Sequence, residues 1–151
     1  MDTVRRLEIA EAVRGVKARY FRYIDRKEWD RLPECFVEDV EIEVADDLAL
    51  VGLDPAAGRV RGRDRFVRTV AGFLDGVTTV HHGHMPEIVV VDQTSATGIW
   101  AMYDRLEFPD GRVQCGAGHY EEEYRYDGGA WRIARMRLTR LSIWQENAPG
   151  S

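Results

Sequence analysis

The chain is poor in cysteine. Cys35 and Cys115 are the only two in 151 residues, and neither sits in a Cys-x-x-Cys pair, so no disulfide scaffold is expected. Positive charge is also short: 21 Lys and Arg against 26 Asp and Glu leave a formal charge of -5 and a pI near 5.4. That balance gives no net attraction to a phosphate backbone, and nucleic acid is not an expected partner. No apolar run approaches the roughly 20 residues that span a bilayer. No basic, apolar, small-residue leader precedes the first helical pattern, so no membrane partner and a cytoplasmic location are expected. Glycine-rich signatures of nicotinamide, flavin or phosphate binding are missing, and no cofactor is required. Internal repeats and low-complexity stretches are absent as well. What remains is 44% hydrophobic residues with 10% aromatic ones, enough for one core and a single domain over residues 1–151.

Periodicity supplies the elements. Leu7, Ala10, Val13, Val16, Tyr20, Phe21 and Ile24 recur every three or four residues, which predicts a helix over Thr3–Asp25. A second short helix is predicted over Asp30–Phe36, with Pro33 near its start, and a third over Asp64–Leu74. Val40, Ile42 and Val44 alternate with acids, as in a half-buried strand. Residues 45–61 read as a long loop around a weak strand, placed to line or cover a mouth. From Thr78 onward long strands follow, divided by Asp92-Gln93, Pro109-Asp110-Gly111 and Asp127-Gly128-Gly129. The order predicts an α+β fold with helices against one face of an antiparallel sheet. Gly98, Gly116 and Gly118 inside the strands suggest a sheet curled strongly enough to form a pocket.

Alternation sorts the polar residues. Asp104 shares a strand face with Trp100, Met102, Leu106 and Phe108, where a carboxylate is costly unless paired or functional. Tyr20 and Asp25 lie beside the apolar stripe of the first helix. His81, His82 and His84 crowd one segment, but strand alternation splits His81 from the other two. No His-Glu-x-x-His or paired-cysteine motif supports a metal site, and none is expected. One histidine with one acid needs less coincidence, because the carboxylate fixes one tautomer while the other ring nitrogen handles a proton. Phe21, His82, Trp100, Met102 and His119 are candidates for the substrate pocket. Glu121 and Glu123 look solvated or interfacial, and the Glu121 to Glu123 run can pair with the arginines of the last strand.

Several of these segments together resemble a known family. They are RYFRYIDRKEWDRL, HHGHMPEIVV, ATGIWAMYDRLEF and YEEEYRYDGGAWRIARMRLTRL, spread over Arg19–Leu141. The chain resembles SnoaL-like members of the superfamily that contains nuclear transport factor, ketosteroid isomerase and scytalone dehydratase. Within it the likeness is greatest to the bacterial bile acid 7α-dehydratases. The resemblance implies a cone-shaped α+β barrel with three N-terminal helices enclosing a pocket. It also implies a cofactor-independent dehydratase acting on a hydroxylated polycyclic ketone, steroid-like or polyketide-like. By motif, Tyr20, Asp25, His81 and Asp104 correspond to the catalytic residues, with His81 as acid/base and Asp25 as its orienting carboxylate. His82 stands where those dehydratases carry methionine. The alternatives are a ketone isomerase or cyclase on the same scaffold, or a non-catalytic small-ligand binding or interaction module. A homo-oligomer, a trimer before a dimer, is the assembly the resemblance implies.

Overall fold

The computed structural model describes residues 1–44, 46–47 and 54–146. Helix α1 (Thr3–Asp25) buries Ile9, Val13, Val16, Tyr20, Tyr23 and Ile24 along one face. Each large apolar side chain so buried contributes about 1.5–3 kcal/mol. Asp2 caps the helix by accepting the Arg5 backbone N–H at 2.8 Å. Leu7, placed in the stripe by its spacing, is exposed. The helix stops where Lys27 takes a left-handed φ of 58°. Helix α2 (Arg63–Phe73) begins after Gly62, whose φ of 93° suits glycine.

Six strands follow in one sheet: β1 (Phe36–Glu43), β2 (Arg59–Arg61), β3 (Thr78–Val90), β4 (Ser95–Glu107), β5 (Val113–Asp127) and β6 (Ala130–Glu146). Their spatial order is β2-β1-β6-β5-β4-β3. From β3 to β6 the chain runs as antiparallel hairpins, whereas β1 joins β6 in parallel. The core lies between α1 and the sheet face that carries Trp100, Met102, Tyr120, Tyr124, Ile133 and Met136.

Three expectations about this architecture are corrected. The sheet is mixed rather than antiparallel, because β1 lies parallel beside a strand nearly a hundred residues later. It is open, with β2 and β3 at its edges, and is neither closed into a cone-shaped barrel nor strongly curled. Among the described residues there are two full α-helices, not three. The segment read as a helix from Asp30 to Phe36 is a single 3-10 turn over Leu32–Cys35, since Pro33 removes a donor and β1 begins at Phe36. The strand glycines do something other than curl the sheet. A Cβ at Gly116 would stand 2.7 Å from an Asp104 carboxylate oxygen, and one at Gly98 would stand 3.2 Å from the Trp100 and Tyr124 rings. These glycines clear space for side chains on neighbouring strands. Residues 45 and 48–53 of the predicted loop lie outside the described residues; the strand in the described part, Arg59–Arg61, closes the segment rather than lying within it.

Candidate active site

Asp25 occupies the last turn of α1, where backbone carbonyls point outward and disfavour a carboxylate by about 0.3–1 kcal/mol. Three donors on β3 offset that cost. The carboxylate accepts the His81 backbone N–H at 2.9 Å, the Thr79 hydroxyl at 2.9 Å and His81 Nδ1 at 2.6 Å. Thr79 accepts in turn from Lys27 Nζ at 3.0 Å. Residues 79 and 81 reach the same acid because strand alternation turns both toward α1. With its Nδ1 proton directed at Asp25, His81 keeps Nε2 free at the wall of a cavity of about 370 Å³.

The His81 ring is also held from the side. Phe21 stacks on it with centroids 6.0 Å apart and planes 14° from parallel. Gly83 permits this, since a Cβ there would stand 2.7 Å from the Phe21 ring edge. Gly83 and His84 do not form a turn. Strand β3 runs through both and bulges between His84 and Glu87, at Met85 and Pro86.

Across the β3–β4 ladder, His81 pairs with Asp104, so both side chains face the cavity. Asp104 is buried and bound by Arg140 of β6, at 2.7 Å to Nη2 and 3.1 Å to Nη1. Arg140 also donates from Nε to Asp47 at 2.5 Å and from Nη2 to Asp47 at 3.3 Å. Its remaining N–H meets the Met102 sulfur at 3.4 Å, so all five guanidinium donors are engaged within the protein. Burial works against the Arg140 charge, but the Asp47 and Asp104 bonds outweigh it and hold the group above its ordinary value. Burial pushes the Asp47 carboxyl up, against the pull of Arg140.

Two tyrosines complete the wall. Tyr20 and Tyr120 pack edge to face, centroids 6.0 Å apart, and both line the cavity. Burial raises both hydroxyls well above the usual phenol value, so each remains a proton donor. The rest of the wall is mostly apolar, with Ile24, Phe66, Val70, Leu106 and Leu138, and Thr69, Arg112 and Gln114 are its remaining polar side chains. A depression of about 220 Å³ over β1, β2 and β6 is lined by Glu and Arg side chains above buried Ile42, Val60 and Met136.

The structure thus brings together Tyr20, Asp25, His81 and Asp104. The five predicted pocket residues stand outside the cavity wall. Phe21 braces His81, Trp100 Nε1 donates to the Tyr124 hydroxyl at 3.0 Å, and Met102 lies behind Arg140. His82 points to the opposite, exposed side, where its ring centroid lies 6.1 Å from that of His84. His119 pairs with Ala101 on that same outer face. Among the described residues no three His, Cys, Asp or Glu side chains gather as a metal site. Likewise, none of the helices is long and apolar enough to cross a membrane.

Sequence reasoning missed Arg140, Tyr120 and the fully buried pair Lys17–Glu122. Glu121 and Glu123 are exposed as expected, but Glu122 is corrected: it points into the core, where it binds Lys17 and the Tyr124 hydroxyl. The signals were present. Arg140 shares a face with Met136 and Leu138 by alternation, and Lys17 falls at helical spacing between Val13 and Tyr20.

Comparison with known proteins agrees with this architecture. A family model described as a SnoaL-like domain matches residues 5–137. A protein from Novosphingobium aromaticivorans DSM 12444, described as a candidate scytalone dehydratase, superposes with a TM-score of 0.82 at 21% identity, covering 99% of each chain. A type 2 hexachlorocyclohexane dehydrochlorinase superposes at 0.79 with 17% identity, over 99% of this chain and 100% of that one. A protein of unknown function from Mycobacterium tuberculosis superposes at 0.72 with 25% identity, over 89% of this chain and 76% of that one.

Proposed function

The chain belongs to the SnoaL-like domain family, and from that premise we propose that it is a cofactor-independent carbon-oxygen lyase. Its substrate in this reading is a neutral, hydroxylated polycyclic ketone, steroid-like or polyketide-like. The observation that carries the proposal is the 2.6 Å contact between His81 Nδ1 and Asp25, which leaves the other imidazole nitrogen facing a largely apolar cavity. Solved structures of the same fold are described as a candidate scytalone dehydratase and a dehydrochlorinase, names that denote eliminations, which supports the class. The motif likeness to bile acid 7α-dehydratases supports a fused-ring skeleton.

In the proposed reaction, His81 Nε2 takes a proton from the carbon next to the ketone or from its vinylogous position. The C–H electron pair becomes a new C=C bond, and the β-hydroxyl departs with the proton returned from Nε2, as water. Asp25 holds the imidazole and balances its charge while the proton is aboard. Tyr20, with Tyr120 beside it, donates to the ketone oxygen as negative charge develops there. Asp104 holds Arg140 at the wall. Because every Arg140 donor is already engaged and Arg112, the other guanidinium at the wall, pairs with Asp110, neither offers an uncompensated charge to a substrate carboxylate, which favours a neutral ligand. A cytoplasmic homotrimer belongs to the same reading; exposed Ile99, Leu141 and Trp144 on the outer sheet side supply apolar surface for subunit contact.

The test is a screen of hydroxylated 3-oxo steroids and aromatic polyketide-like ketones by mass spectrometry, run beside His81→Ala. Loss of one water by the wild type and its disappearance in the variant are expected. A mass-neutral double-bond shift would reassign the chain to isomerisation, and undiminished water loss in His81→Ala would overturn the role of His81.

A further inference from the structure

Beneath the two cavity tyrosines lies a charge that the elimination does not use. Lys17 is fully buried on α1, one turn before Tyr20 and Phe21. Its ammonium pairs with one Glu122 oxygen, and the other accepts the Tyr124 hydroxyl. Tyr124 in turn accepts from Trp100 Nε1 at 3.0 Å, so the carboxylate is anchored from the far end of the chain of bonds. Lys17 Nζ stands 3.3 Å from the ring centroid of Tyr120, 4.4 Å from that of Tyr20 and 4.8 Å from that of Phe21. Phe21 is the ring that stacks on His81.

A buried ion pair is a weak stabilising device, because well-packed apolar residues of similar volume often do as well or better. Here its cation is placed against the π faces of the two cavity phenols. A cation over a phenol draws electron density from the ring, and at low local dielectric its field favours negative charge at the hydroxyl oxygen. We propose that Lys17 is a positioning residue for the elimination: held by Glu122 against the Tyr20 and Tyr120 rings, its ammonium strengthens both phenols as donors to the substrate oxygen. This rests on the lyase reading through the role given to Tyr20. Glu122 acts against that field and pushes the Tyr20 hydroxyl up, so removing the pair as a whole measures the net effect. The fixed dipole needs no reorganisation as charge develops on the substrate, which is the condition for electrostatic catalysis.

Lys17→Met alone would strand a buried carboxylate, so the informative protein is Lys17→Met/Glu122→Gln, which keeps an acceptor for Tyr124. A tetrafluorotyrosine, far more acidic than tyrosine, is placed at position 20 and titrated by phenolate absorbance and fluorine NMR in the ligand-free protein. Without the pair it is expected to ionise about one pH unit or more higher. On the natural Tyr20 background, kcat for water loss is expected to fall about tenfold or more. KM should change far less, and the thermal midpoint should hold or rise. An unchanged or lowered fluorotyrosine ionisation would overturn the inference, as would unchanged kcat in the paired variant. The titration uses no substrate, so a wild type that eliminates nothing sinks the lyase reading without deciding the electrostatic one.

Discussion

Asp25→Asn is the substitution that separates the His81–Asp25 reading from a merely packed histidine. The carboxylate receives three hydrogen bonds, from His81 Nδ1 at 2.6 Å, the His81 backbone N–H at 2.9 Å and Thr79 at 2.9 Å. Two of them end on one oxygen, Oδ1, and the third on Oδ2, so an amide satisfies one set and turns an NH₂ toward the other. The charge that balances an imidazolium is lost in either orientation. A hydrogen bond to a charged group contributes about 1.5–3 kcal/mol, and misaligned donors add a further loss of about 1 kcal/mol or more. At tenfold per about 1.4 kcal/mol, kcat should fall by about 10²–10³. The substitution touches no cavity-lining atom, so KM should move little. Asp25 keeps 24% of its side-chain surface in solvent, and the loss of thermal stability should accordingly be modest. Steady-state turnover with the substrate found by the screen, beside a thermal melt, provides the measurement. A kcat within about threefold of wild type would refute the assignment of Asp25, because no rotamer of asparagine retains both the geometry and the charge.

Other perturbations test the surroundings. Arg140→Met leaves Asp104 and Asp47 facing each other unpaired and should cost about 3–5 kcal/mol, read as a thermal midpoint lowered by roughly 6–20 °C; adding Asp104→Asn should recover part of it. Gly83→Ala forces a methyl to within 2.7 Å of Phe21 and should cost about 1–3 kcal/mol by overpacking, with Phe21→Leu restoring the loss. Lys17 gives the pH dependence. Burial lowers its pKa from 10.5 to about 8, with Glu122 pulling it back. Between these values the unfolded chain binds the extra proton, so stability should rise with pH relative to Lys17→Met/Glu122→Gln, by about 2–3 kcal/mol from pH 8 to 10. Below pH 8 both states are charged and the difference should flatten. Turnover should decline across the same window as the ammonium is lost, and parallel denaturant melts and rate profiles would expose any other ordering.

The site residues that sequence reasoning reached are those whose placement follows from one local period. The repeat of α1 sets Tyr20 and Asp25 beside its apolar stripe, strand parity separates His81 from His82 and His84, and Asp104 falls between Met102 and Leu106, while the choice of His81 among the three histidines rested on the family resemblance. Arg140 carried the same kind of signal on the face of Met136 and Leu138, but Arg135 and Arg137 on the opposite face offered a simpler pairing with the Glu121 to Glu123 run. The β5–β6 register also shifts between Ala117 and Gly118, leaving Leu141 as an extra, exposed residue beside Arg140. Glu122 was obscured by its flanking acids in the same way. Pairing order was less legible still. No periodicity in Phe36–Glu43 records that its partner is β6, or that the two run parallel. The glycines misled for a related reason: a missing Cβ marks close approach, and only the partner strand decides whether that means a bend or room for a guanidinium.

The charge distribution around the cavity bears on how the elimination can proceed. Asp47 and Asp104 share the Arg140 guanidinium, while Asp25 binds His81 and Thr79, with the Lys27 ammonium on the Thr79 hydroxyl, so with neutral His81 and ionised acids the carboxylates outnumber these cations by one. Burial raises Asp47 toward its neutral form and trims that surplus. A free enolate would add to it in an environment of low dielectric, where like charges repel strongly. An anion accumulating on the substrate is therefore disfavoured unless positive charge or donors meet it where it forms. In the proposed elimination the protonated phenols of Tyr20 and Tyr120 are the donors for that oxygen, and the Lys17 ammonium lies behind their rings. The remaining way to relieve the charge is to expel the leaving oxygen as neutral water rather than hydroxide, which requires the proton on His81 to reach it as the C–O bond breaks. A histidine fixed at one nitrogen by Asp25 and open to the cavity at the other meets that requirement with a single group, and for this reason the same side chain is assigned both the removal and the return of the proton.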